Sequence, residues 1–140
     1  MSETSSNPHK ARMQAIMAAL AQGDSRPFGD AMADDFTWVV PGRNGWSGRY
    51  EGRQAVRERL FRPLYRQFTG TYTNTATRFL AEGEMVVVEC RGHVVTRSGK
   101  PYDNTYCYVC RFGADGLLHE LVEYMDTQLV AEVLEPPSGR

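Results

Sequence analysis

Two β-prone runs, Glu89-Cys90-Arg91-Gly92-His93 and Asn104-Thr105-Tyr106-Cys107-Tyr108, flank the turn Ser98-Gly99-Lys100. Residues two apart on a strand share a face. Glu89, Arg91 and His93 therefore point one way, and Asn104, Tyr106 and Tyr108 share a face of the next strand. A two-residue turn at Ser98-Gly99 predicts pairs His93–Asn104, Arg91–Tyr106 and Glu89–Tyr108. The polar groups then converge on one side of a hairpin and line a pocket. The opposite face carries Cys90, Thr105, Cys107 and Val109, with Cys90 and Cys107 as cross-strand neighbours.

The surrounding chain supplies the rest of a sheet. Thr71 to Leu80, Met85 to Thr96, Pro101 to Phe112 and Leu117 to Thr127 are β-branched or aromatic runs. Glu82-Gly83, Ser98-Gly99 and Asp115-Gly116 punctuate them, which predicts a four-strand antiparallel meander. Upstream, Met13, Ile16, Met17 and Leu20 have helical spacing, and Gly23 ends that helix. Ser25 and Pro27 open a short second helix that carries Phe28 and Met32 inward. Phe36 to Val40 reads as a short strand, residues 41–50 as a Gly-rich loop, and Arg53 onward as a third helix. That helix has Ala55, Val56 and Leu60 on one face, and Pro63 should kink or restart it. Helices first and a curved meander second make an α+β domain, with a cavity wherever the helices leave the sheet uncovered. Residues 1–8 read as a disordered tail, 9–134 as one domain, and 135–140 as a flexible tail.

The composition narrows the function. At 140 residues, with 41% hydrophobic and 24% charged side chains, the chain is long enough for one domain with a real core. A net charge of −1 gives no basic surplus for nucleic acid or an acidic membrane. There is no apolar signal core and no stretch near the ~18 apolar residues of a membrane helix, so the expected location is the cytoplasm. Cys107-x-x-Cys110 places its thiols on opposite strand faces, and no histidine pair has ligand spacing, so no metal site is expected. No phosphate-binding glycine pattern or nucleophile elbow is present, and no cofactor is called for.

Several pieces spanning roughly residues 11–130 carry a resemblance. They are Gly23-Asp24, Ala33-Asp34-Asp35-Phe36, Gly52-Arg53-Gln54-Ala55-Val56, Gly99-Lys100-Pro101-Tyr102, Arg111-Phe112 before Asp115-Gly116, and Glu123-Tyr124-Met125-Asp126. In this order they resemble the SnoaL-like branch of the nuclear-transport-factor-2-like superfamily. Those α+β cones include ketosteroid isomerases, limonene-epoxide hydrolases and polyketide cyclases. The resemblance implies helices on a strongly curved, mostly antiparallel sheet, an internal pocket and a homodimer. The general-base position of a ketosteroid isomerase falls on Val40, its oxyanion Tyr near Ile16 and its protonated Asp near Tyr108, which argues against that mechanism. The catalytic positions of a limonene-epoxide hydrolase fall on Glu89, Arg91, Glu123, Trp38 and Val40. They keep an Arg between two carboxylates but lack the water-holding Asn.

The expected catalytic residues are Glu89, Arg91 and Glu123, with Arg91 orienting two carboxylates whose pKa values are pushed apart. Trp38, His93, Asn104, Tyr106 and Tyr108 are expected to bind substrate. Trp38, Trp46 and Phe61 would form an apolar wall, with Trp46 a candidate lid. The leading reading is a cofactor-independent isomerase, cyclase or hydrolase acting on a small, largely apolar oxygenated molecule. A non-catalytic binding module, or a dimeric interaction protein with a vestigial pocket, would use the same fold. A largely uncharged outer sheet face would suit the dimer.

Overall fold

The computed structural model describes residues 7–137. Helix α1 (Pro8–Leu20) starts with a proline, whose missing N–H costs nothing in the first turn. Asn7 caps it, its side chain accepting from the backbone N–H groups of His9 and Lys10 at 3.0 and 3.1 Å. Helix α1 and its cap thus lie partly inside the stretch read as a tail; residues 1–6 of that tail lie outside the described residues. Met13, Ile16, Met17 and Leu20 are all buried, as their spacing predicts. Helix α2 (Arg26–Ala31) leads directly into strand β1 (Met32–Val40), which is longer than the Phe36–Val40 run.

The Gly-rich segment is only partly a loop. Its end forms β2 (Gly48–Glu51), antiparallel to β1. The next helical stretch runs through α3 (Arg53–Ala55), a π-helical turn (Val56–Phe61) and α4 (Arg62–Tyr65). Pro63 accounts for the change of pitch. A proline cannot donate and collides with the carbonyl four residues back. Widening to the i→i+5 pattern keeps the chain helical, with the Arg62 N–H donating to Arg57 O.

Strands β3 (Phe68–Glu82), β4 (Met85–Thr96), β5 (Thr105–Phe112) and β6 (Leu118–Met125) form the expected antiparallel meander. Strand β1 joins it parallel to β6, giving the order β2-β1-β6-β5-β4-β3. The mixed sheet curls but does not close, because its edge strands β2 and β3 do not pair. Helix α1 packs on β3 and β4. The core cluster includes Met13, Phe36, Val88, Phe112 and Leu121.

Two features at the C-terminal end depart from expectation. Helix α5 (Thr127–Val133) follows β6, capped by Asp126, whose side chain accepts from Leu129 N. Residues 135–137, read as flexible, are packed. The Glu135 carbonyl accepts from Trp46 Nε1 at 3.0 Å and Gln67 Nε2 at 2.8 Å, and Glu135 N–H donates to Gln67 Oε1 at 2.9 Å. Trp46 is thereby buried against the chain end, and it is not a pocket lid.

Candidate functional site

The β4–β5 turn decides which residues meet. Thr96 N–H donates to Lys100 O at 2.9 Å, and Gly99 adopts φ +86°. The loop therefore has three residues, Arg97-Ser98-Gly99, with glycine in the left-handed position such a loop requires. The extra residue moves the register by one. Arg91 pairs with Thr105, Cys90 with Tyr106, Glu89 with Cys107 and Val88 with Tyr108. A one-residue slip sends one strand's side chains to the other face. Tyr106 and Tyr108 point into the cone as predicted, but their partners are Cys90 and Val88.

Glu89, Arg91 and His93 consequently lie on the outer face. Glu89 is 44% exposed and forms an ion pair with Arg78 at 2.7 Å. His93 Nδ1 meets Asp103 at 2.7 Å on the rim. The predicted carboxylate–guanidinium–carboxylate cluster does not form. Cys90 points inward and Cys107 outward, so they are not neighbours on the outer face. Asn104 is buried, but all its bonds are structural. It accepts from the N–H groups of Thr105 and Asp126 and donates to Asp126 O and the Tyr102 hydroxyl. It fixes the start of β5 to the end of β6 and does not line the cavity.

Glu123, Trp38, Tyr106 and Tyr108 do converge, on a cavity of about 470 Å³ between the helices and the sheet. That volume suits a small organic molecule. Its interior is aromatic and aliphatic, with Phe28, Met32, Val56, Leu60, Phe61 and Phe68 among the lining residues. Trp38 packs edge-on against Phe61, with centroids 5.2 Å apart, and against Tyr108 at 5.8 Å.

Strand alternation places Glu123 inward between Leu121 and Met125, directly opposite Tyr108. Its Oε1 accepts from Trp38 Nε1 at 3.0 Å. Burial pushes its pKa from 4.5 up to about 7, against the opposing pull of the indole N–H. Both protonation states are then populated near neutrality, which is what a general acid/base needs. Trp38, and not Arg91, is its partner.

Sequence reasoning missed the tyrosine network behind this carboxyl. Asn74 is fully buried on β3, and its Nδ2 donates to the hydroxyls of Tyr72 and Tyr108, each at 3.1 Å. Asn74 Oδ1 has no hydrogen-bond partner among the described residues. The Tyr106 ring lies beside Tyr108, with centroids 5.6 Å apart. Phenols that accept from an amide keep their own O–H protons for donation. Burial raises the pKa of Tyr72, Tyr106 and Tyr108 well above 10.0, so they remain protonated donors. Gly92 makes the cluster possible. A Cβ there would stand 2.7 Å from the Tyr72 hydroxyl and 3.0 Å from Tyr106 Cε2. A glycine inside a strand marks such a close approach, and that was the available signal.

The model of the SnoaL-like domain matches residues 13–121. The chain belongs to the SnoaL-like family. No curated protein matches the sequence. Solved structures share the fold at low identity. Bal32a, from a soil-derived mobile gene cassette, is 22% identical with a TM-score of 0.77, covering 91% of this SnoaL-like chain and 97% of its own. TerC, co-crystallised with polyporic acid, is 22% identical with a TM-score of 0.74, covering 91% and 98%. A protein termed a SnoaL-like polyketide cyclase from Jannaschia sp. CCS1 is 16% identical with a TM-score of 0.73, covering 97% and 100%. Among the described residues of this SnoaL-like domain, no helix is long and apolar enough to cross a membrane, and no cluster of metal-ligating side chains occurs.

Proposed function

We propose that this protein is a cofactor-independent enzyme whose cavity transfers protons on a small, largely apolar oxygenated compound. The observation that carries this reading is the carboxyl of Glu123 on the inner sheet face of an aromatic cavity, held by Trp38 and poised near neutrality. As a carboxylate it takes a proton from the carbon beside a carbonyl. Phenol donors at Tyr106 and Tyr108 stabilise the enolate oxygen that forms. The resulting carboxylic acid then returns the proton at another carbon, or the enolate carbon attacks a second carbonyl in the same molecule, opening its C=O to an alkoxide that takes the proton back from Glu123. One carboxyl suffices for these isomerase and cyclase reactions. A hydrolase that needs a separate acid and base is disfavoured, because Glu89 and Arg91 face outward. A similar structure was co-crystallised with polyporic acid and another is termed a polyketide cyclase, which agrees with an oxygenated ring substrate.

The test is a panel of cyclic ketones, lactones and aromatic polyketides, scored first for thermal stabilisation and then for conversion. Conversion by wild type that is lost in Glu123→Gln supports the assignment, whereas undiminished conversion by that variant removes Glu123 from it. Binding without conversion for any ligand favours the non-catalytic reading of the same cavity.

A homodimer and a cytoplasmic location belong to the same proposal. The outer face carries charge at Glu89 and Arg91, contrary to expectation, but an apolar row crosses it beside them. Val39, Val122, Val109, Val87 and Leu80 are successive cross-strand neighbours, and Leu80 is 60% exposed. A second copy covering this row would explain it, and Val109→Glu should then yield a monomer by gel filtration. Three free cysteines agree with a reducing compartment.

A further inference from the structure

The cavity's exposed lining residues mark its mouth, and three of them, Arg26, Arg57 and Arg62, are cationic beside Ser25, Asp30 and Tyr65. Arg26, Arg53, Arg57 and Arg62 all line it, with Asp30 as the acid among them. Arg26 is already neutralised by Asp24, which accepts from its Nε and Nη2 at 3.0 Å each. Arg53 is held over the cavity by donating through Nη1 to Met32 O at 3.2 Å, which leaves its other donors available. The side chains of Arg57 and Arg62, on exposed residues, make no hydrogen bond or ion pair among the described residues.

The π-helical turn brings these charges together. Arg53 and Arg57 are four residues apart and share a helix face. On a regular α-helix a spacing of five would rotate Arg62 about 140° from Arg57. The turn closes i→i+5, with Arg62 N–H on Arg57 O, so the two arginines stand one above the other at the mouth. Stacked like charges repel, so local helix stability does not account for the arrangement. Asp30 alone does not balance them.

We infer that the substrate carries a carboxylate, gripped by Arg57 and Arg62 at the mouth while its apolar body lies among the aromatic side chains. This rests on the proposed function's reading of the cavity as a ligand site. Guanidinium groups present paired N–H donors that match a carboxylate's two oxygens. Glu123 sits on the inner sheet face, and repulsion there turns the anionic end of a ligand outward. The ligand is therefore bound in one direction, with its reacting oxygen toward the tyrosines.

Naphthylacetate, hydroxynaphthoate and hydroxybiphenylcarboxylate, each beside its own methyl ester, test this by calorimetric titration of the full chain at low salt. The acids are expected to bind about tenfold more tightly than their esters, as a charged hydrogen-bond pair does. In Arg57→Ala/Arg62→Ala the preference should fall to about twofold or less, and Arg57→Lys/Arg62→Lys should retain part of it. Raising salt from 0.1 to 1 M shortens screening from about 10 to about 3 Å and should weaken the acids alone. Equal binding of acid and ester by wild type overturns the carboxylate assignment and leaves the ligand cavity standing. An acid preference untouched in the alanine variant removes these two arginines from it. Failure of every pair to bind overturns both the inference and the reading of the cavity on which it rests.

Discussion

Glu89 and Glu123 lie on strands of one sheet, and both looked like catalytic carboxyls. The fold separates them. Glu89 projects from the outer face beside Arg78, half in water. Glu123 projects from the inner face among aromatic rings, with one indole N–H for company. Water stabilises an exposed charge whether or not a partner is present, so the outer pair has little power to tune chemistry. In the cavity, the cost of charge is set by the few groups that touch it. The electrostatic surroundings of a carboxyl in this sheet follow the face it occupies, and not the density of charged letters in the strand.

The widest gap between the two carboxyls should appear in turnover. For any substrate found, Glu123→Gln should lower kcat by about 10²–10⁴-fold, the usual loss when a positioned acid/base is removed. Glu89→Gln should leave kcat within about twofold. Equal losses would mean that the outer face takes part in the chemistry and would break the contrast.

A second separation should appear in stability against pH. Folded Glu123 holds its proton up to about pH 7, while the unfolded chain ionises near 4.5. Between those values the folded state binds more protons, so stability falls as pH rises and levels off above about 7. The full drop is on the order of 3 kcal/mol. Gln at position 123 can still accept from Trp38 but cannot ionise. Glu123→Gln should therefore flatten this slope and raise the thermal midpoint at pH 8, read by circular dichroism. An unchanged slope would show that Glu123 is not buried as an acid.

The inner face should also resist added volume. Gly92→Ala inserts a methyl group against Tyr72 and Tyr106, and overpacking of this kind costs about 1–3 kcal/mol. Denaturant melts measure the loss. A neutral result would mean that the tyrosines yield easily and are not a preorganised donor set.

Why one face was legible and the other was not comes down to local and non-local information. The i, i+3, i+4, i+7 pattern of Met13, Ile16, Met17 and Leu20 is contained in one helix, and all four are buried. Strand alternation likewise identified Tyr106, Tyr108 and Glu123 as members of their strands' faces. Joining two strands requires the turn, and the choice between two and three residues around Ser98-Gly99 rests on backbone angles that the letters leave open. That single residue moved Glu89, Arg91 and His93 outward. Tyr72 and Asn74 were hidden for a different reason, because their strand is Thr-rich and alternates weakly. Strand β2 was masked by glycines, and its pairing to β1 is a tertiary contact.

The smallest expected effect sharpens the comparison from the outer side. The Arg78–Glu89 pair is short, at 2.7 Å, yet its side chains are 64% and 44% exposed. Solvent screening and the entropy of holding two long side chains limit such a pair to about 0.2–1 kcal/mol. A double-mutant cycle of Arg78→Ala and Glu89→Ala should return a coupling in that range, shrinking as salt is added. A salt-resistant coupling above about 2 kcal/mol would mean that water does not reach the pair. The covering surface would then be a second copy on the valine row, and the coupling should fall toward the exposed value in Val109→Glu. The smallest number in the series thus reports whether the outer face is wet, the condition on which the contrast with Glu123 depends.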